Sequence, residues 1–143
     1  MIELTPIGII HSPFTGHGQA PRQGRSSNEK MKIEIYPEYQ QGIGTMSGIS
    51  HIWVLYWMDR ADRNTLFAKR PEWTEKKPVF TTRSPSRPNP IALSIGKIED
   101  ISDGIITVTG LEALDRSLVI DIKPYVVEID CIFGALNPFE KKE

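Results

Sequence analysis

Proline and arginine interleave in Thr82-Arg83-Ser84-Pro85-Ser86-Arg87-Pro88-Asn89-Pro90. Each proline fixes its own φ and biases its predecessor toward extended geometry, so the segment reads as a rigid loop holding two guanidinium groups. A guanidinium is a planar fork of donors suited to carboxylates and phosphates, and a preorganised loop loses less entropy on binding. The same arginines could instead staple the loop to its surroundings, and the sequence leaves both uses open. A second constellation is Pro21-Arg22-Gln23-Gly24, where two donor-rich side chains stand beside a glycine that permits unusual backbone angles. A flexible surface loop explains it equally well. In the third, Leu114-Asp115-Arg116-Ser117-Leu118 turns into a strand on which Asp121 and Lys123 share one face, with Leu118, Ile120 and Ile122 on the other. A solvent-facing ion pair is the competing reading there. His11, His17 and His51 lack the clustered spacing of metal ligands, so no metal centre is expected. No glycine-rich phosphate loop, G-x-S-x-G elbow or Cys/His nucleophile pair stands out.

The elements that must hold these residues are short and strand-like. Ile7, Ile9 and Ile10 precede the turn Ser12-Pro13 and mark a first strand within Thr5 to His11. Thr15 to Lys30 has no periodicity and reads as a long functional loop. Met31, Ile33 and Ile35 alternate with polar residues, and Pro37 can open a short helix through Gln41. His51 to Met58 is dense in β-branched and aromatic residues and reads as the most buried strand. Val79 to Thr82 is a brief strand. Ile91, Leu93 and Ile95 alternate, and Gly96 shifts the phase to Ile98 as a β-bulge would. Ile105 to Leu111 and Leu118 to Lys123 complete six or seven short strands with almost no helical periodicity, the pattern of a mainly β barrel or sandwich. One domain over residues 1–136 with a charged tail over 137–143 is expected.

Composition is ordinary for a globular chain of 143 residues, with 39% hydrophobic and 24% charged residues. Cys131 is the only cysteine and the start Met1-Ile2-Glu3 lacks secretory character, so a reducing, cytoplasmic setting is expected. The apolar run Ile52 to Met58 is too short to cross a bilayer. Charge is uneven although the net is -1: Asp59 to Lys97 holds nine basic and four acidic residues, and Ile98 to Glu143 four basic and ten acidic. A net +5 segment can attract a polyanion even in a nearly neutral molecule.

Taken together, five segments in order resemble the TsaA-like, TrmO-type tRNA N6-threonylcarbamoyladenosine methyltransferase family in its short form. They are Pro6-Ile7-Gly8 with His11-Ser12-Pro13-Phe14, then Pro21-Arg22-Gln23, Ser50 to Val54, Thr82-Arg83-Ser84-Pro85 with Arg87 to Ile91, and Asp121 to Tyr125. The resemblance implies a closed pseudobarrel that binds S-adenosylmethionine near a homodimer interface and methylates N6 of threonylcarbamoyladenosine beside the tRNA anticodon. By position it implies cofactor contacts at Pro21, Arg22, Gln23, Asp59, Arg60, Arg83, Leu93, Asp115, Arg116, Ser117 and Leu118. The chain departs from the family where Asp59 replaces a frequent histidine and Arg116-Ser117-Leu118 a frequent Gly-Thr-Pro. Longer members also carry a C-terminal domain thought to help hold tRNA.

Methyl transfer from a sulfonium is an in-line displacement, so the protein mainly aligns the acceptor and removes water. An N6 carrying a carbamoyl group is more acidic than a plain amine, so a modest base suffices. Asp121 is the candidate base, and Asn89 the candidate for orienting the base edge. Two alternatives are a methyltransferase for another substrate and a non-enzymatic nucleic-acid-binding barrel using the basic segment and Trp73 for stacking.

Overall fold

The computed structural model describes residues 1–16 and 28–137. Along the chain its strands are β1 (Gly8–His11), β2 (Lys30–Ile35), β3 (His51–Trp57), β4 (Phe67–Ala68), β5 (Lys77–Pro78), β6 (Ile91–Ser102), β7 (Ile105–Thr109) and β8 (Leu118–Pro124). A short helix α1 (Val127–Asp130) follows. Six strands close into an antiparallel barrel in the order β1-β2-β7-β6-β3-β8, with β8 returning to β1, while β4 and β5 form a separate ribbon. Closure leaves the barrel without a free sheet edge, which is how so small a β protein avoids edge pairing.

The core follows from period-two alternation. Met31, Ile33 and Ile35 of β2 point inward between exposed Lys30, Lys32 and Glu34. Ile10, Ile52, Val54, Ile106, Val108, Leu111 and Val119 join them, each contributing about 1.5–3 kcal/mol when fully buried. β3 is buried on one face only: Ile52, Val54 and Tyr56 point in, whereas Trp53, Leu55 and Trp57 are half-buried on the outer wall. No residue of β3 is exposed, in keeping with its apolar sequence.

β6 reverses what its sequence suggests. Ala92, Ser94 and Gly96 face the interior, while Ile91 and Leu93 are exposed on the outer wall. Small inward residues leave room for Tyr56, which pairs with Ala92. A Cβ on Gly96 would lie 3.2 Å from Cβ of Val108, so glycine serves close approach there, and the bulge falls instead between Ile98 and Asp100. β8 also departs from simple alternation. Its register against β3 shifts at Leu55/Tyr56, turning Val119 inward and leaving Leu118 exposed. Val79 to Thr82 is not a strand: Lys77–Pro78 pairs with Phe67–Ala68, and Val79–Thr81 is a 3-10 turn into which Thr82 donates from both N–H and Oγ1. The expected short helix at Pro37 is a 3-10 helix, Pro37–Gly42.

Gly8 pairs with Ile35, and a Cβ there would meet the Glu34 carbonyl oxygen at 2.4 Å. Backbone cannot yield as a side-chain tip can. Gly8→Ala is expected to lower unfolding free energy by about 1–3 kcal/mol, measured by denaturant titration; an unchanged midpoint would contradict the close β1–β2 approach.

Because every neighbouring pair is antiparallel, β1, β3 and β7 end at the same rim where β2, β6 and β8 begin. Three connections therefore arise at one rim: residues 12–29, 58–90 and 110–117. The opposite rim receives 36–50 and the tight turn 103–104.

Candidate cofactor site on one rim and outer wall

Those three connections contain nearly every residue that the sequence singled out. Pro21, Arg22 and Gln23 belong to the first and lie outside the described residues. Asp59, Arg60, Arg83 and Asn89 belong to the second, and Asp115, Arg116 and Ser117 to the third.

The third connection is stitched to β1. Asp115 Oδ1 accepts from the Ser12 N–H at 2.9 Å, and the Asp115 N–H donates to the Phe14 carbonyl at 2.7 Å. Ser12 Oγ donates to the Ala113 carbonyl at 2.7 Å, and the Arg116 N–H to the Ile10 carbonyl at 2.7 Å. Ser117 is buried, and its Oγ closes the turn on the Leu114 carbonyl at 2.7 Å. Asp115 and Ser117 thus shape the rim as well as standing on it. Arg60 ties the second connection to the first by donating from Nη1 to the Thr15 carbonyl at 3.0 Å.

The two loop arginines have different uses. Arg87 donates to three carbonyls, those of Thr82 and Ser84 at 3.1 Å each and Val79 at 3.2 Å. It is a staple, made to backbone rather than to an acidic side chain. Arg83 is exposed and commits a single nitrogen, Nη2, to the Leu93 carbonyl at 3.0 Å. Two positions ten residues apart are so brought together, and the other guanidinium donors have no partner among the described residues. Asn89 is exposed, its amide oxygen 3.5 Å from Arg63 Nη2; the Arg63 guanidinium also lies 5.0 Å from the Trp57 ring centroid.

On the outer wall the register places Leu93, Leu55 and Asp121 in one cross-strand row and Ile91, Trp57 and Leu118 in the adjacent row. With strands about 4.8 Å apart, Asp121 is about 10 Å from Leu93, within the reach of one bound ligand. Asp121 does pair with Lys123, at 3.2 Å, and its Oδ1 accepts from the Ile122 N–H at 2.9 Å. Beyond Leu93, an open cleft of about 350 Å³ is lined by Lys30, His51, Ile95, Lys97, Thr109 and Gly110 among others.

One polar cluster escaped the sequence reading. Ser94 Oγ donates to Glu112 Oε1 at 2.7 Å, and Ser94 is also hydrogen-bonded to the hydroxyl of buried Tyr56. Burial above all, and then the Glu112 carboxylate, push the Tyr56 hydroxyl well above its usual range, with the Ser94 bond acting in the opposite sense. It therefore stays protonated, a fixed dipole beneath the rim. Nothing in the sequence signalled this, because the apolar alternation of Ile91, Leu93 and Ile95 puts Ser94 on the opposite phase.

A family model described as the tRNA-methyltransferase O N-terminal domain matches residues 9–131. The chain belongs to this family. An S-adenosyl-L-methionine-binding protein of Archaeoglobus fulgidus is 50% identical over 129 residues, covering 90% of this chain and 93% of that one. The human tRNA (adenine(37)-N6)-methyltransferase is 29% identical over 141 residues, covering 93% of this chain and 32% of its own. The crystal structure of TrmO from Pseudomonas aeruginosa superposes with a TM-score of 0.82 at 28% identity, over 99% of this chain and 63% of that one. The chain therefore spans less than two thirds of the solved TrmO structure and about a third of the human enzyme.

The fold explains one departure from the family pattern. Arg116 has φ of +68°, the left-handed region that favours the glycine which family members often place there. Arg116→Gly is expected to keep or slightly raise the melting temperature, whereas Arg116→Ile should cost about 1–2 kcal/mol because a β-branched residue suffers most at positive φ. Equal stability of the two variants would contradict this.

Proposed function

We propose that this chain is an S-adenosylmethionine-dependent tRNA methyltransferase acting on N6 of threonylcarbamoyladenosine beside the anticodon, as a homodimer in the cytoplasm. The observation that carries the reading is that the connections bearing Asp59, Arg60, Arg83 and Asp115 all arise at one rim, with the Ile91–Trp57–Leu118 row and then the Leu93–Leu55–Asp121 row below it, in a member of the tRNA-methyltransferase O N-terminal domain family.

The donor set fits the cofactor. Arg83 offers N–H groups for an amino-acid carboxylate, Asp59 and Asp115 offer acceptors for ribose hydroxyls or the ammonium, and Leu93, Trp57 and Leu118 offer apolar surface. Once bound, S-adenosylmethionine supplies an electrophilic methyl group. The chain's own residues then align the acceptor nitrogen, exclude water along the apolar rows, and accept the N6 proton on the Asp121 carboxylate, while Asn89 orients the base edge.

A second copy is supported by apolar surface that a lone barrel leaves bare. Ile91, Leu93 and Leu118 are exposed on the wall, and after β8 so are Val127, Ile129, Ile132, Phe133 and Leu136. Large apolar side chains left bare in this number support an interaction surface. A two-fold axis across β3 would reverse the strands and bring one copy's residues 125–136, with Glu128 and Asp130, toward the basic rim of the other. The 58–90 connection, inside the +5 segment, is the phosphate-facing surface in this reading.

The test is methyl incorporation from labelled S-adenosylmethionine into tRNA with and without the threonylcarbamoyl group. Incorporation only with the group is expected. Equal incorporation into both tRNAs, or none into either by protein that binds the cofactor, would replace the proposed acceptor.

A further inference from the structure

The β4–β5 ribbon projects from the second connection, and nothing in the methyl-transfer site uses its tip. Residues 69–76 form that tip, closed by the Trp73 N–H donating to the Arg70 carbonyl at 3.0 Å. Around Trp73 the sequence gathers cations. The Arg70 guanidinium lies 5.2 Å from the ring centroid, the Lys77 ammonium lies 4.8 Å from it, and Lys69 donates to the Trp73 carbonyl. Beside the ring is an open depression of about 260 Å³, lined by Trp73, Thr74, Lys77, Glu72 and Glu75.

The tip is not a loose appendage. Ala68 and Val79 are buried at the ribbon's base, and the Val79 N–H donates to the Leu66 carbonyl at 2.9 Å. The Val79 carbonyl in turn accepts from Arg87, which holds the proline loop whose Arg83 meets Leu93. A continuous set of backbone and arginine bonds therefore fixes the tip relative to the proposed cofactor wall.

One cation against an indole would suffice to order an exposed turn. Here two lie against the ring and a third is held at the Trp73 carbonyl, and residues 69–77 carry four basic against two acidic side chains, an excess of positive charge that a bound polyanion would meet. The arrangement also suits unpaired RNA in particular. Arginine planes and indoles stack bases, ammonium groups meet phosphates, and carboxylates such as Glu75 accept from exocyclic amines. We propose that the tip of the β4–β5 ribbon is an RNA-gripping finger, in which Trp73 and Arg70 stack an unpaired base and Lys69 and Lys77 hold its flanking phosphates. This rests on the tRNA reading above and adds to it the element that takes hold of the single-stranded part of the substrate.

The experiment titrates tRNA, an unpaired RNA oligonucleotide of anticodon-loop length, and heparin into the wild type, Trp73→Ala and the double variant Arg70→Ala/Lys77→Ala. Calorimetry with S-adenosylmethionine runs in parallel as the check of folding. Trp73→Ala is expected to weaken both RNAs about tenfold and heparin less than twofold, since only RNA stacks. The double variant should flatten the salt dependence of log Kd by about one contact, that of Lys77. Cofactor affinity should be unchanged, and KM for tRNA should rise with kcat held. Unaltered RNA affinity in both variants overturns the finger while leaving the tRNA reading intact. Equal losses for RNA and heparin in Trp73→Ala overturn base stacking and leave a generic polyanion patch. A wild type that binds the cofactor but no RNA overturns both readings.

Discussion

Arg83→Ala should lower affinity for S-adenosylmethionine by about ten- to 150-fold, corresponding to about 1.5–3 kcal/mol for a lost charge-assisted hydrogen bond. The neighbouring Arg87→Ala should do something different. Arg87 places two nitrogens on three carbonyls; the Val79 carbonyl keeps its bonds from Thr82, but removal of the guanidinium strips the donor from the Thr82 and Ser84 carbonyls and should show mainly as lower thermal stability. Among the described residues Arg83 holds only the Leu93 carbonyl, from an exposed position, and its loss should move the melting temperature little. Calorimetric titration and thermal melts on both variants read the contrast directly. Equal cofactor affinity in Arg83→Ala and wild type would remove Arg83 from the site, whatever the melts show.

That contrast was not legible in the sequence, where the two arginines look alike in one proline-rich loop. What separates them is the position of carbonyl groups on the 3-10 turn Val79–Thr81 and on β6, which no spacing rule reveals. Elements whose pattern matches their environment were easy to read: β2 alternates as an amphipathic strand should, and its apolar residues are the buried ones. β6 misleads because its larger side chains cover the outer wall while Ala92, Ser94 and Gly96 give way to Tyr56 and Val108. Apolar alternation finds the strand but not which face is inside once partner strands fill the interior. The candidate site was legible as a set of ordered motifs. Their convergence depends on the non-sequential strand order β1-β2-β7-β6-β3-β8, which sends three connections to one rim, and that order is a tertiary fact. The Glu112–Ser94–Tyr56 cluster was invisible for the same reason.

Methyl transfer to tRNA should fall steeply with salt while cofactor binding barely changes. The second connection lies within a segment of net +5, and its arginines and lysines stand on the rim and ribbon rather than in the core. Each phosphate that they neutralise releases condensed counterions, so affinity falls with the logarithm of salt concentration at a slope of about -0.7 per contact for single strands. Four such contacts would weaken tRNA binding about fiftyfold between roughly 50 and 200 mM salt. S-adenosylmethionine carries only one carboxylate, one ammonium and one sulfonium, so screening over that range should change its affinity by less than about threefold. In the proposed reaction the threonylcarbamoyl group acts at a different step. tRNA with and without it should bind with similar salt slopes, because the phosphates are the same, yet if Asp121 is the base, only the modified N6 should be acidic enough to yield its proton to it. Asp121→Asn should therefore lower kcat with little change in KM for tRNA. Salt-insensitive methylation would point to a small-molecule acceptor, and an unchanged kcat in Asp121→Asn would leave Asp121 as no more than the ion-pair partner of Lys123.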